Sequence, residues 1–68
     1  MKPAIITSVW SQRSLKGQIT AEGWRLIYFR SDADGREIEL RYDANERVWR
    51  NPENNRKYHV AAQSLPIF

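Results

Sequence analysis

Runs with a period of two residues, separated by turn sequences at short intervals, fill most of this chain. The pattern is clearest in the run EIELRY at residues 37–42, where every second residue is apolar and the others are charged. Such alternation is typical of a strand with one buried face, because successive side chains point to opposite sides of a strand. The chain is therefore predicted to be all-β.

The clearest turn lies in the middle of the chain, at Asp34-Gly35. Glycine adopts the positive φ that a tight hairpin turn requires, so residues 24–30 and 37–42 are predicted to pair as a hairpin. Similar reasoning predicts a turn over residues 43–46 and an open polar loop over residues 51–55, where Pro52 stops a strand. The predicted strands cover residues 3–10, 14–20, 24–30, 37–42, 47–50 and 56–62, and a helical turn over residues 60–65 is the alternative at the end.

The length of 68 residues limits how these strands can pack. A chain of this size buries only about 60% of its unfolded surface, so its large apolar residues are needed for the core. Sequential strands joined by short turns pair as an antiparallel meander, which must curl to bury its apolar face. We predict one domain, residues 1–68, curled into an SH3-like, Sm-like or OB-like barrel without an internal repeat. The predicted core comprises Leu26, Tyr28, Ile38, Leu40, Val48 and Val60, with Trp10, Trp24 and Trp49 partly buried.

Residues 15–19, LKGQI, resemble the strand and glycine of the first sequence motif in Sm-like RNA chaperones. The resemblance covers only this segment, and the aspartate-containing loop that follows the glycine in that family is missing here. It therefore does not assign the chain to that family.

The chemistry available to an active site is limited. The chain has no cysteine and a single histidine, His59, so no zinc site can be assembled, and no glycine-rich nucleotide-binding motif occurs. We therefore predict no catalytic residues, no metal and no cofactor. The alternative is a small nuclease in which Lys57, His59 and an arginine would meet in one cleft. The lack of cysteine and of a long apolar run predicts a cytoplasmic protein without a membrane partner.

Charge is segregated along the chain, whose formal net charge is +3. Residues 1–30 carry five cations and one acid, residues 31–46 two cations and six acids, and residues 47–60 four cations and one acid. Three interpretations stay open. A positive face could bind a polyanion, the acidic part of one copy could dock on the basic part of another, or opposite charges could be cross-strand neighbours.

Arginine next to an aromatic residue is the most informative functional pattern. Eight of the eleven cations are arginine, and Trp24-Arg25 and Trp49-Arg50 place an arginine directly beside an indole ring. Sheet surfaces that bind single-stranded nucleic acid stack bases on rings and pair phosphates with guanidinium groups. We therefore expect a non-enzymatic module that binds DNA or RNA, with Trp49 as the stacking ring. The expected contact residues are Arg25, Arg47, Trp49, Arg50, Arg56, Lys57 and His59.

The competing hypothesis is a protein-interaction or assembly module, such as an inhibitor or an accessory protein of a phage or mobile element. Tryptophan, tyrosine and arginine also dominate protein interfaces, so the composition fits both hypotheses. The apolar tail Leu65–Phe68 would then dock on a protein partner or on a second copy in a homo-oligomer, unless it folds back to close the barrel.

Overall fold

The structure, a computed structural model, describes residues 2–62 and consists of a single closed sheet. Each strand pairs antiparallel with the next, and the last pairs with the first, which confirms the predicted all-β barrel. The described residues contain no helix. A helical turn over residues 60–65 was the alternative for the end of the chain, but the last strand continues to Ala62. The remainder of that range, residues 63–65, and the tail Leu65–Phe68 lie outside the described residues. The strands are β1 Lys2–Ser8, β2 Ser14–Gly23, β3 Leu26–Ser31, β4 Glu37–Asp43, β5 Val48–Arg50 and β6 Lys57–Ala62.

The core is one cluster inside the barrel, with side chains from five of the strands. Its largest fully buried side chains are Phe29, Ile6 and Leu40. Burial of each such side chain contributes about 1.5–3 kcal/mol of favourable transfer free energy, so these three are important for holding the barrel together. Ile38, Trp49 and Val60 pack against the cluster and are partly buried. The cluster itself consists of Ala4, Ile6, Ile19, Ile27, Phe29, Leu40 and Tyr58.

Strand β3 corrects the predicted core. Tyr28 was expected inside but is 36% exposed, Leu26 is only half-buried, and Ile27 and Phe29 face the interior instead. Both faces of this strand are apolar, so alternation alone could not decide which face is buried. The pairing of Ile27 with Leu40 on β4 decides it, since cross-strand neighbours share a face of the sheet.

Two tryptophans correct the prediction in the same way. Trp10 and Trp24 were expected to be partly buried, but they are 93% and 84% exposed. Both lie in turns rather than in strands, the first after β1 and the second between β2 and β3. They therefore present indole rings to solvent, whereas Trp49 is partly buried as predicted.

At Gly17, strand β2 lies very close to strand β3. A methyl group at its Cα would lie 2.1 Å from the carbonyl oxygen of Arg30 and 2.5 Å from Cζ of Phe29. Both separations are far below van der Waals contact, so only glycine allows β2 to cross β3 here. This close approach lets the Phe29 ring fill the centre of the barrel.

Three of the turns have the same backbone geometry: residues 8–13, 31–36 and 51–56. In each, the N–H of the first residue donates to the carbonyl oxygen of the sixth, and the N–H of the fifth donates to the carbonyl oxygen of the first. The fifth residue has a positive φ in every case: Gln12 at 60°, Gly35 at 72° and Asn55 at 63°. This confirms the predicted turn at Gly35.

The turn at residues 51–56 is tight, although an open polar loop was expected there. Asn51 is only 3% exposed, and its Oδ1 accepts a hydrogen bond from the N–H of Glu53 at 2.9 Å. The three turns have little sequence in common, since only the final arginine is shared by all and the first residue is serine or asparagine, in line with the prediction of no internal sequence repeat. The repetition is therefore one of turn geometry.

Successive turns of a meander lie at alternate ends of the barrel, so these three turns share one end. We call it the three-turn end; the turns between β2 and β3 and between β4 and β5 lie at the opposite end.

Candidate nucleic-acid interface

A groove at the three-turn end separates the first turn from the third. Closure of the barrel places β1 beside β6, and the turns at residues 8–13 and 51–56 become neighbours although they are far apart in sequence. The groove has a volume of about 920 Å³. We call it the Trp10 groove; its lining includes Val9, Trp10, Arg13, Leu15, Arg56 and Lys57.

The apolar part of the Trp10 groove is unusually exposed. Val9 and Leu15 are both exposed beside Trp10, whose indole ring makes almost no contact with the rest of the barrel. A small domain gains stability by burying such side chains, and exposed apolar side chains that line one groove are typical of binding surfaces. The Trp10 ring is therefore available for stacking against a planar ligand.

Two arginines line the groove from equivalent turn positions. Arg13 and Arg56 are the last residues of the first and third turns, and each backbone N–H donates to a side-chain oxygen within its own turn, Oγ of Ser11 or Oδ1 of Asn54. Within residues 2–62, neither guanidinium group makes an ion pair. Both charges are therefore available to a ligand in the groove.

The second turn has an arginine at the equivalent position, Arg36, but acidic side chains accompany it. Nε of Arg36 lies 3.8 Å from Oδ2 of Asp34, and Asp32 adds another negative charge to the same turn. The third turn also carries an acid, Glu53, but within the described residues the arginines of the first and third turns make no ion pair, whereas that of the second turn does.

Lys57 connects the groove to an ion-pair network on the outer surface. Its Nζ lies 2.5 Å from Oε1 of Glu46, whose other oxygen is 3.7 Å from Nη2 of Arg50. The same Nη2 atom lies 2.6 Å from Oδ2 of Asp43. Acidic residues from the middle of the chain are thus spatial neighbours of cations from its last third, as one interpretation of the charge segregation predicts.

A second cavity, of about 410 Å³, lies on the surface of β4 and β5 and is lined by Arg25, Arg41 and Arg50 among others. The guanidinium carbon of Arg25 lies 4.5 Å from the centroid of the Trp24 ring, within the range of a cation–π interaction. We call this cavity the Arg41 cleft. Three guanidinium groups line the cleft, and two of them are paired with carboxylates, Arg41 with Glu39 and Arg50 with Asp43.

The structure distributes the predicted contact residues over several places. Arg56 and Lys57 line the Trp10 groove, and Arg25 and Arg50 line the Arg41 cleft. The Trp49 ring packs against the core, 5.1 Å from the ring of Tyr42. The remaining two, Arg47 and His59, are exposed away from both cavities, with Arg47 at a positive φ of 57°.

Sequence reasoning missed Trp10 and Arg13 as candidate contact residues. Their position beside Arg56 depends on the pairing of β1 with β6, which no local pattern reveals. A signal was present in the sequence all the same: an arginine ends each of three polar turns, at positions 13, 36 and 56.

No three acidic or histidine side chains of the described residues lie close enough together to hold a metal ion. Nor does that part of the chain include a helix of the length and apolarity needed to cross a membrane. Comparison of the chain with protein-family models, curated protein sequences and solved structures found no match.

Proposed function

We propose that this protein is a non-enzymatic module that binds single-stranded nucleic acid in the Trp10 groove. The observation that supports the proposal is the 93% exposure of Trp10 in a groove that Arg13 and Arg56 also line, with guanidinium groups that lack acidic partners within the described residues. Stacking of a base on an aromatic ring contributes about 1–3 kcal/mol, and arginines beside the ring neutralise the flanking phosphates.

A single strand fits this groove better than a duplex does. The bases of a duplex are stacked on one another, so an isolated indole ring cannot reach their faces without opening the helix. An unpaired base can leave its neighbours and lie on Trp10 while its phosphates contact Arg13 and Arg56. This arrangement reads no base edge, and we therefore propose binding with little sequence preference, to DNA or RNA in the cytoplasm.

The proposal predicts a steep salt dependence and a specific need for an aromatic ring at position 10. For a single strand, the logarithm of affinity should fall linearly with the logarithm of salt concentration, with a slope of about −0.7 per phosphate contacted. Trp10→Ala should reduce affinity about tenfold or more, because one stacking contact is lost. Fluorescence anisotropy of a labelled oligonucleotide, recorded over a salt series, measures both effects.

The matched control for this experiment is Trp10→Phe, which keeps a ring and should retain most of the affinity. Because residue 10 is exposed, neither substitution should change the stability of the barrel. Equal affinities of the alanine and phenylalanine variants, or binding that does not change with salt, would contradict the proposal. Salt-independent self-association through Val9, Trp10 and Leu15 would instead favour the protein-interaction hypothesis.

A further prediction concerns Glu46, which pairs with Lys57 at the edge of the groove and approaches Arg50. Glu46→Gln should raise affinity several-fold at low salt and steepen the salt dependence, because Lys57 is released to contact phosphate. The same anisotropy titration measures the change. Stability should fall by no more than about 1 kcal/mol, as is usual for exposed ion pairs.

Glu22→Gln is the control for Glu46→Gln. Glu22 forms an ion pair of the same length, 2.5 Å, with Lys2, and neither residue lines the groove. Both substitutions raise the net charge by the same amount, so an equal gain in affinity would mean that net charge alone, and not release of Lys57, is responsible.

A further inference from the structure

A row of three cations crosses the outer face of the sheet between the two cavities. Arg41 on β4 is the register partner of Arg50 on β5, and Arg50 is the partner of Lys57 on β6. Register partners in neighbouring strands point to the same face of a sheet, about 4.5–5.5 Å apart. Lys57 lines the Trp10 groove, whereas Arg41 and Arg50 line the Arg41 cleft, so the row joins one cavity to the other.

The far end of this row carries the second exposed indole ring. Leu26 at the start of β3 is the register partner of Arg41, which places the preceding residues, Trp24 and Arg25, beside the row. Arg25 lines the Arg41 cleft and its guanidinium group lies over the Trp24 ring. This end therefore repeats the combination found in the groove, an exposed ring beside an arginine.

From this continuity we propose that one single strand of nucleic acid occupies both tryptophan sites at once, running from the Trp10 groove over Lys57, Arg50 and Arg41 to Trp24. The inference rests on the proposed function. It extends that function from one stacking site to a track with two stacking sites and a defined minimum length of ligand.

The spacing of the strands sets that minimum length. The path from β3 to β1 crosses β4, β5 and β6, which is four steps of about 4.8 Å, or about 19 Å in total. A stacked strand rises about 3.4 Å per nucleotide, so about six nucleotides span the strands that separate the two tryptophan-bearing turns.

The ion pairs of the free protein determine which part of the track a ligand occupies first. Each cation of the row holds a carboxylate in the free protein: Arg41 pairs with Glu39, Arg50 with Asp43 and Lys57 with Glu46. Phosphates must displace these carboxylates along the row, whereas Arg13 and Arg56 in the groove make no ion pair within the described residues. Short ligands therefore bind in the groove alone, and longer ones extend across the row to Trp24.

The test is a length series of oligothymidylates, of about 3, 6 and 10 nucleotides, titrated against the full chain and against Trp24→Ala. Affinity of the unaltered protein should rise between the shortest and the middle length. Trp24→Ala should leave the shortest ligand unaffected and weaken binding of the two longer ones about tenfold. Trp24→Phe, which keeps a ring, should restore most of that loss.

The outcomes separate this inference from the proposed function. If all three ligands bind and Trp24→Ala has no effect at any length, the track is wrong while the Trp10 groove remains a binding site. If Trp24→Ala weakens the shortest ligand as much as the longest, the two rings do not act in sequence and the track is also wrong. Binding of none of the oligonucleotides would overturn both. Thermal unfolding of each variant confirms that the barrel is intact, as expected for a side chain that is 84% exposed.

Discussion

Replacing Gly17 with alanine is expected to remove most of the stability of the barrel. The added methyl group would overlap the carbonyl oxygen of Arg30 and the ring of Phe29, at 2.1 and 2.5 Å. Neither group can give way cheaply, because the first is backbone of the paired strand and the second is the largest fully buried side chain. Overpacking costs about 1–3 kcal/mol or more, and a core of this size rarely supplies more than about 3–5 kcal/mol. Urea denaturation followed by circular dichroism measures the loss.

Gly23→Ala is the matched control on the same strand. The nearest atom to a methyl group at Gly23 is Cδ2 of Leu26 at 3.9 Å, an ordinary contact, and this glycine is exposed. Its substitution should change the free energy of unfolding by less than about 1 kcal/mol. Similar urea midpoints for the two variants would contradict this prediction, because they would show that β2 and β3 can move apart at Gly17 without a large loss of stability.

The largest effect on binding is expected from reversing the two arginine charges that line the Trp10 groove. Arg13→Glu combined with Arg56→Glu replaces two phosphate contacts with two repulsive ones, and like charges brought together at an interface cost several kcal/mol. Affinity for a short oligonucleotide should fall about 100-fold or more, and the salt dependence should become correspondingly shallower. Both side chains are exposed, so the barrel should fold as before.

The repeated turn geometry supplies the control for this charge reversal. Arg36 occupies the equivalent position in the second turn, so Arg36→Glu tests charge reversal in the same backbone setting, outside the groove. It should lower affinity only slightly, through the net charge. A loss with Arg36→Glu as large as that caused by reversal at Arg13 or Arg56 alone would mean that the protein attracts nucleic acid through its overall field and has no groove site.

Most of the fold follows from local sequence patterns. The turn at Gly35 and the alternation over residues 37–42 were predicted because a turn and a period of two depend on neighbours along the chain. The buried face of β3 could not be predicted, since Ile27 and Phe29 compete with Leu26 and Tyr28 and only pairing with β4 decides between them. The burial of Trp10 and Trp24 was predicted wrongly for a related reason. Large rings are usually buried, and no local sequence pattern shows that a turn holds these two in solvent.

The candidate interface was harder to predict than the fold because it is assembled from distant segments. Arg56 and Lys57 were recognised from their charge, and the structure places them in the groove. Trp10 and Arg13 are about 45 residues away along the chain and become neighbours of Arg56 only through closure of the barrel. The pairing of Arg50 with Asp43 likewise depends on β4 and β5 lying side by side, so sequence could not tell a free cation from a neutralised one.

The pairing of β1 with β6 also bears on how the chain folds. Ala4 pairs with Ala62, so the final ladder joins residues from the two ends of the meander, and its formation requires the closure of a very long loop. Contacts of this kind slow folding, because chain entropy is lost before they form. Until β6 is in place, β1 keeps an unpaired edge that can recruit strands from other molecules. The same ladder that brings the two sides of the Trp10 groove together also pairs the free edge of β1, so the groove and the protection of that edge depend on the same contacts.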